Sequence, residues 1–125
     1  DQWVDLKQYL LNGQEYLELI NGVKQTLADI PRYCPDFADR RPELAGLVWF
    51  QGIADAGSPA FTAAYAKNLA GLIQDLRKEW NSPTLPVVIA ALGQYGEKMP
   101  PLLRQVHTAQ MDLPSTVPHT AAVDT

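Results

Sequence analysis

Cysteine is almost missing from this sequence: Cys34 is the single example in 125 residues, so no internal disulfide can form. It lies in a loop-like stretch between Tyr33 and Pro35 with neither histidine close in sequence. A thiol without an activating base is a poor nucleophile. Histidine is nearly as scarce, with only His107 and His119, and these residues share no ligand spacing with Cys34, so no metal site is predicted. Ten Lys and Arg against fourteen Asp and Glu leave a net charge of −4. That balance excludes a nucleic-acid backbone or an anionic membrane surface as partner, because both need a basic surplus. No apolar run approaches the ~20 residues of a membrane-spanning helix, and no secretory leader pattern is visible. Gly93-Gln94-Tyr95-Gly96 is too sparse for a dinucleotide fingerprint, and no Lys-Ser/Thr pair follows a glycine-rich loop, so no nucleotide cofactor is predicted.

What is present is a change of period along the chain. From Gln14 to Asp29, Tyr16, Leu17, Ile20, Val23, Leu27 and Ile30 recur at three- and four-residue steps, which predicts an amphipathic helix ended by Pro31. Residues 31–43 read as a loop, and Asp1–Leu10 as an entry helix or extended arm. Ala45–Phe50 is a short, nearly continuous apolar run of the kind buried in parallel sheets. Ser58 and Pro59 then make an N-cap and first helical position. Phe61, Tyr65, Leu69, Leu72, Ile73, Leu76 and Trp80 mark a second helix, and Leu85–Leu92 a second buried strand with Pro86 near its start. Residues 101–112 give a third helix through Leu102, Leu103, Val106 and Met111, and His119–Val123 a third strand. The order α-β-α-β-α-β predicts right-handed parallel units and a three-layer α/β domain with flanking helices. In such sheets, chemistry gathers at the C-terminal strand ends. Here these are Gln51 to Asp55, Gly93 to Gly96, and the residues from Asp124 onward.

Candidate nucleophiles are few. Ser58 lies between a strand and a helix, where a nucleophile can be displayed, but helix capping explains it fully. Ser82 and Ser115 flank loop prolines. No serine carries a Gly-Asp-Ser or Gly-x-Ser-x-Gly signature. His119, at a strand start, is the candidate base, and it needs a serine or cysteine within hydrogen-bond reach. His107 is read as structural or exposed.

Leu47-Val-Trp-Phe-Gln-Gly-Ile-Ala-Asp55 resembles the Trp-(Tyr/Phe)-Gln-Gly signature of the sialate O-acetylesterase-like family, a carbohydrate-esterase branch of the SGNH hydrolases. Tyr65-x-x-Asn68-Leu69-x-x-Leu72-Ile73-x-Asp75-x-Arg77, Leu85-Pro-Val-Val-Ile-Ala90, Leu103-Arg104 with Ala109-Gln110, and Val123-Asp124-Thr125 follow in the family's order. Trp3-Val4-Asp5 and Tyr16 fit the preceding helix. The resemblance implies a flavodoxin-like sheet, an acetylated carbohydrate as substrate, no cofactor, and a secreted or periplasmic setting. It implies a serine nucleophile in a block before this sequence and a histidine base in an Asp-x-x-His-like block after it. Residues 1–125 are then one domain or the central part of one, inactive alone, with an exposed sheet edge for self-association or a complementing chain. By resemblance, Gln51 is the oxyanion or positioning residue, Gly52 gives room for substrate, and Asp55 completes the loop. Ile53 stands where many members carry Glu, and Ala54 where a sub-branch carries Asn. Those replacements favour the rival expectation, a non-catalytic α/β binding or interaction module derived from the fold. An unrelated flavodoxin-like domain is disfavoured, because the loops after the first two strands lack an anion-binding cluster.

Overall fold

The computed structural model describes residues 14–125. The expected entry segment, with Trp3, Val4 and Asp5, lies outside the described residues. The chain divides into two compact units, Asp1–Leu44 and Ala45–Thr125.

The first unit carries helix α1, Gln14–Tyr33. Ile20 is buried and Tyr16, Val23, Leu27 and Ile30 are half-buried, as the stripe predicts, whereas Leu17 faces solvent at 55% exposure. The helix also runs past Pro31, its expected terminator. Pro31 has no N–H to give the helix, yet the turn after it still closes through Cys34 N–H to the Ile30 carbonyl at 2.7 Å. Cys34 is exposed.

The second unit is α/β, a three-stranded parallel sheet flanked by helices. Strand β1 spans Leu47–Trp49, helix α2 Pro59–Glu79, strand β2 Val87–Ala91, helix α3 Pro101–Asp112 and strand β3 Thr120–Asp124. The strands lie in the order β1-β2-β3, with Trp49 beside Ile89 and Ile89 beside Ala122. Both crossovers step the same way across the sheet, so right-handed connections bring α2 and α3 to one face, where they pack on each other. Alternation along the strands records that arrangement. Val87, Ile89 and Ala91 are buried, while Val48 and Val88 on the opposite face are exposed.

Helix α2 buries Tyr65, Leu69, Leu72, Ile73 and Leu76 of its predicted stripe. Phe61 is 38% exposed instead. Trp80 caps the helix, and Asn81 turns the chain out of it in a left-handed conformation with φ 49. On α3 the buried residues are Leu103, Val106 and Gln110, whereas Met111 is exposed. Burying polar Gln110 in place of Met111 requires that every amide atom find a partner, and that requirement leads to the site.

Candidate active site

Gln51 begins the loop just past β1. Continuing the register two residues beyond the Trp49–Ile89 pair sets it level with Ala91, whose partner on β3 is Asp124. This row marks the C-terminal end of the sheet, the end where parallel α/β sheets bind ligands.

Two sets of hydrogen bonds fix Gln51. Its side-chain Nε2 donates to Asp55 Oδ2 at 2.8 Å. Asp55 is 8% exposed and opens the 3₁₀ turn Asp55–Gly57, and its own carbonyl accepts from Thr62 Oγ1 at 2.9 Å. An ionised carboxylate only accepts hydrogen bonds, so Asp55 turns the nitrogen end of the amide toward itself. The amide nitrogen has a second proton, which remains a donor.

The backbone carbonyl of Gln51 is held from the other side. It accepts from Tyr65 Oη at 2.7 Å and from Gln110 Nε2 at 2.8 Å. Gln110, fully buried, also donates to Tyr65 Oη at 2.8 Å and accepts from the Leu92 N–H at 2.9 Å. Trp49 Nε1 donates to the same phenol oxygen at 3.2 Å. One buried network therefore joins β1, α2, α3 and the end of β2. Burial raises the Tyr65 phenol above its ordinary pKa, against the hydrogen bonds from Trp49 and Gln110, while the charge of Asp55 adds to the rise. The phenol stays protonated and keeps donating to Gln51.

Gly52 follows with φ +149 and is buried. A Cβ there would lie 2.8 Å from Val106 Cγ1 and 3.0 Å from Leu92 Cδ1, so backbone conformation and space both demand glycine. Ile53, where many family members carry Glu, is 55% exposed.

A second polar group stands at the same end of the sheet. His107 Nε2 lies 3.0 Å from Asp124 Oδ1, and both line a cleft of about 550 Å³ with Gly93, Gly96, Arg104 and Thr125. Arg104 donates to the carbonyls of Glu97 and Met99. A Cβ on Gly93 would collide with the Thr125 carbonyl oxygen.

The other predicted residues are placed apart. Ser58 occupies the N-cap position of α2 in extended conformation, and its hydroxyl makes no capping bond. His119 precedes β3 with φ 55, at the N-terminal end of the strands and so at the opposite end from Gln51. Its carbonyl accepts from the Val87 N–H and from Arg77. Ser115 Oγ donates to the Asp112 carbonyl. Among the described residues no serine is hydrogen-bonded to a histidine, and no group of His, Cys, Asp and Glu is arranged to hold a metal ion.

A family model for carbohydrate esterase, sialic acid-specific acetylesterase, matches residues 2–125. The chain belongs to that family. No curated protein matches the sequence. A crystal structure of an Arabidopsis thaliana protein is similar to this chain with a TM-score of 0.68 at 23% identity, covering 89% of this chain and 40% of that one. At that identity the likeness speaks for the fold, and the chain spans less than half of the length of that protein. As a carbohydrate esterase by family, the chain is related to hydrolases that act on ester bonds.

Sequence reasoning picked out Gln51, Gly52 and Asp55 but missed the groups behind them. It named Tyr65 only as part of the apolar stripe and of the family-like helix pattern, without a role at the site. Gln110 left a signal, since it continues the Leu103–Val106 spacing that buries one side of α3. A polar residue in register with a buried stripe needs internal partners.

Proposed function

We propose that this chain forms one wall of a carbohydrate O-acetylesterase site, with Gln51 donating to the oxyanion and Asp55 orienting it. In such a reaction a serine oxygen attacks the acetyl carbonyl carbon, and the carbonyl oxygen takes up the electron pair as a tetrahedral oxyanion. Collapse expels the sugar oxygen, which a histidine protonates, and water then releases acetate from the acyl-serine. Donors fixed before the reaction lower that barrier most, because they need not reorganise as the charge develops. The observation that carries this reading is the 2.8 Å bond from Gln51 Nε2 to buried Asp55, at the C-terminal end of β1. It fixes the amide nitrogen against Asp55 and leaves its second proton to donate. Gly52 keeps the loop close to the core, where Val106 and Leu92 fill the place of a side chain.

The nucleophilic serine and the base histidine come from outside this sequence, from a longer chain or from a complementing one. The separation of Ser58, Ser115 and His119, with no serine hydrogen-bonded to a histidine among the described residues, supports that division. The test is acetate release from O-acetylated sugars and from p-nitrophenyl acetate by the 125-residue chain, with its intact mass measured alongside. No turnover by the chain and turnover by the longest natural polypeptide that carries it is the expected pair of results. Turnover by the 125-residue chain that is lost in Ser58→Ala, His107→Ala or His119→Ala would sink the division of labour. No turnover by either, with acetylated sugar still bound, would favour the binding module that Ile53 and Ala54 suggest.

A further inference from the structure

The Gln51 carbonyl accepts two hydrogen bonds from groups that have no place in the esterase chemistry. Two acceptor positions are all that a carbonyl oxygen offers, so its direction is fully set by Tyr65 and Gln110. No peptide bond in the described chain is cis. In a planar trans peptide the C=O and the following N–H point to opposite sides. Pulling the Gln51 carbonyl inward therefore turns the Gly52 N–H away from Tyr65 and Gln110. Among the described residues that N–H finds no acceptor, although Gly52 is buried and buried backbone donors are nearly always paired. A buried donor without an acceptor among the described residues, beside a candidate oxyanion donor, needs a reason.

We infer that Tyr65 and Gln110 are positioning residues that turn the Gln51–Gly52 peptide so that the Gly52 N–H becomes a second donor, beside the Gln51 amide, to an oxyanion at this end of the sheet. Gln110 suits the task because its neighbours leave it no alternative. Its Oε1 is held by the Leu92 N–H, which fixes the amide orientation and directs Nε2 to Gln51 and Tyr65. Trp49 Nε1 donates to the Tyr65 oxygen, so the phenol proton is left to point at the Gln51 carbonyl. The chain of orientation runs from Leu92 and Trp49 through Gln110 and Tyr65 to the peptide. The role as oxyanion donor rests on the acetylesterase reading, while the turning of the peptide does not.

The test uses Tyr65→Phe and Gln110→Met, with Leu76→Ala as a core comparator from the far end of α2. In ¹H–¹⁵N spectra of the 125-residue chain, the Gly52 amide peak is expected to move in the first two variants and to stay in Leu76→Ala. A Gly52 peak unmoved in both variants, or moved as much by Leu76→Ala, would overturn the positioning role. In the longest natural polypeptide that carries the chain, each lost bond is expected to lower kcat roughly tenfold with KM unchanged. A moved peak with kcat intact would overturn the donor role of Gly52. Absence of esterase activity in the wild-type polypeptide would bring down the acetylesterase reading and the donor role with it, and the amide peak alone would then decide whether Tyr65 and Gln110 position the peptide.

Discussion

The two ends of the sheet are tied by the same device and left in different states. At the N-terminal end, Arg77 reaches from the last turn of α2 to the carbonyls of Leu85, Pro118 and His119, the residues that lead into β2 and β3. At the C-terminal end, Gln110 reaches from α3 to the Leu92 N–H, the Gln51 carbonyl and the Tyr65 phenol. Each is a buried polar side chain from a helix that gathers loop backbone around the strand ends. The difference lies in what remains afterwards. Arg77 satisfies the Leu85 and Pro118 carbonyls and adds a second bond to that of His119, which the Val87 N–H already pairs, and its work ends there. Gln110 holds the Gln51–Gly52 peptide, whose Gly52 N–H finds no acceptor among the described residues. The first arrangement serves stability, and under the proposed reading the second serves an incoming group.

That comparison can be broken in several places, and the largest effect belongs to Gly52. Gly52→Ala combines a strained φ with overlap against Val106 and Leu92, and is expected to cost about 4 kcal/mol of stability in chemical denaturation. A loss below about 1 kcal/mol would mean that the loop repacks easily and is no fixed wall. Arg77→Met comes next. It strands buried carbonyls and is expected to cost about 3 kcal/mol, yet to leave the Gln51 and Gly52 amide peaks where they are. Movement of those peaks would show that the two ends are coupled and would erase the distinction between them.

Tyr65→Phe removes one donor and is expected to cost about 1 kcal/mol near neutral pH. Its pH dependence follows from the direction of the shift. The folded phenol titrates above its ordinary 10.0, so its stabilising contribution is complete below that value and is lost as pH rises beyond it. The stability gap between wild type and Tyr65→Phe should therefore hold steady below pH 10.0 and shrink above it, which urea melts across that range would show. A gap that widens with alkali would contradict a buried, protonated donor. The smallest effect is expected for His107→Ala. Asp124 is 69% exposed at its side chain, and ion pairs so open to water contribute at most about 1 kcal/mol. A thermal melt that falls by more than that would give this pair a structural weight like that of Arg77.

The fold was legible in the sequence because its signals are local. Leu47–Trp49, Val87–Ala91 and Thr120–Asp124 fall within or beside the predicted runs, and Pro101–Asp112 matches the predicted third helix. Boundaries shifted where a single residue was given too much authority. Pro31 stopped α1 on paper, but the helix runs two residues past it and closes its last turn at Cys34. The site was legible only as far as its motif. Gln51, Gly52 and Asp55 are neighbours in sequence, so their resemblance to a family signature exposed them together. Tyr65 and Gln110 lie fourteen and fifty-nine positions from Gln51, and their role depends on pairings that the chain makes only when α2 and α3 share one face of the sheet. No spacing rule along one element reports such a meeting. The pairing of His107 with Asp124 was hidden for the same reason.

The measurement that tests the central claim most directly compares Gln51→Leu with wild type in the longest natural polypeptide carrying this sequence. It reads acetate release from an O-acetylated sugar together with the melting temperature. Loss of one oxyanion donor is expected to lower kcat by about a hundredfold or more, and loss of the bond to buried Asp55 to lower the melting temperature while leaving the chain folded at the assay temperature. Hydrolysis by Gln51→Leu at the wild-type rate would contradict the assignment of Gln51 as the donor and, with it, the reading of this end of the sheet as an esterase wall.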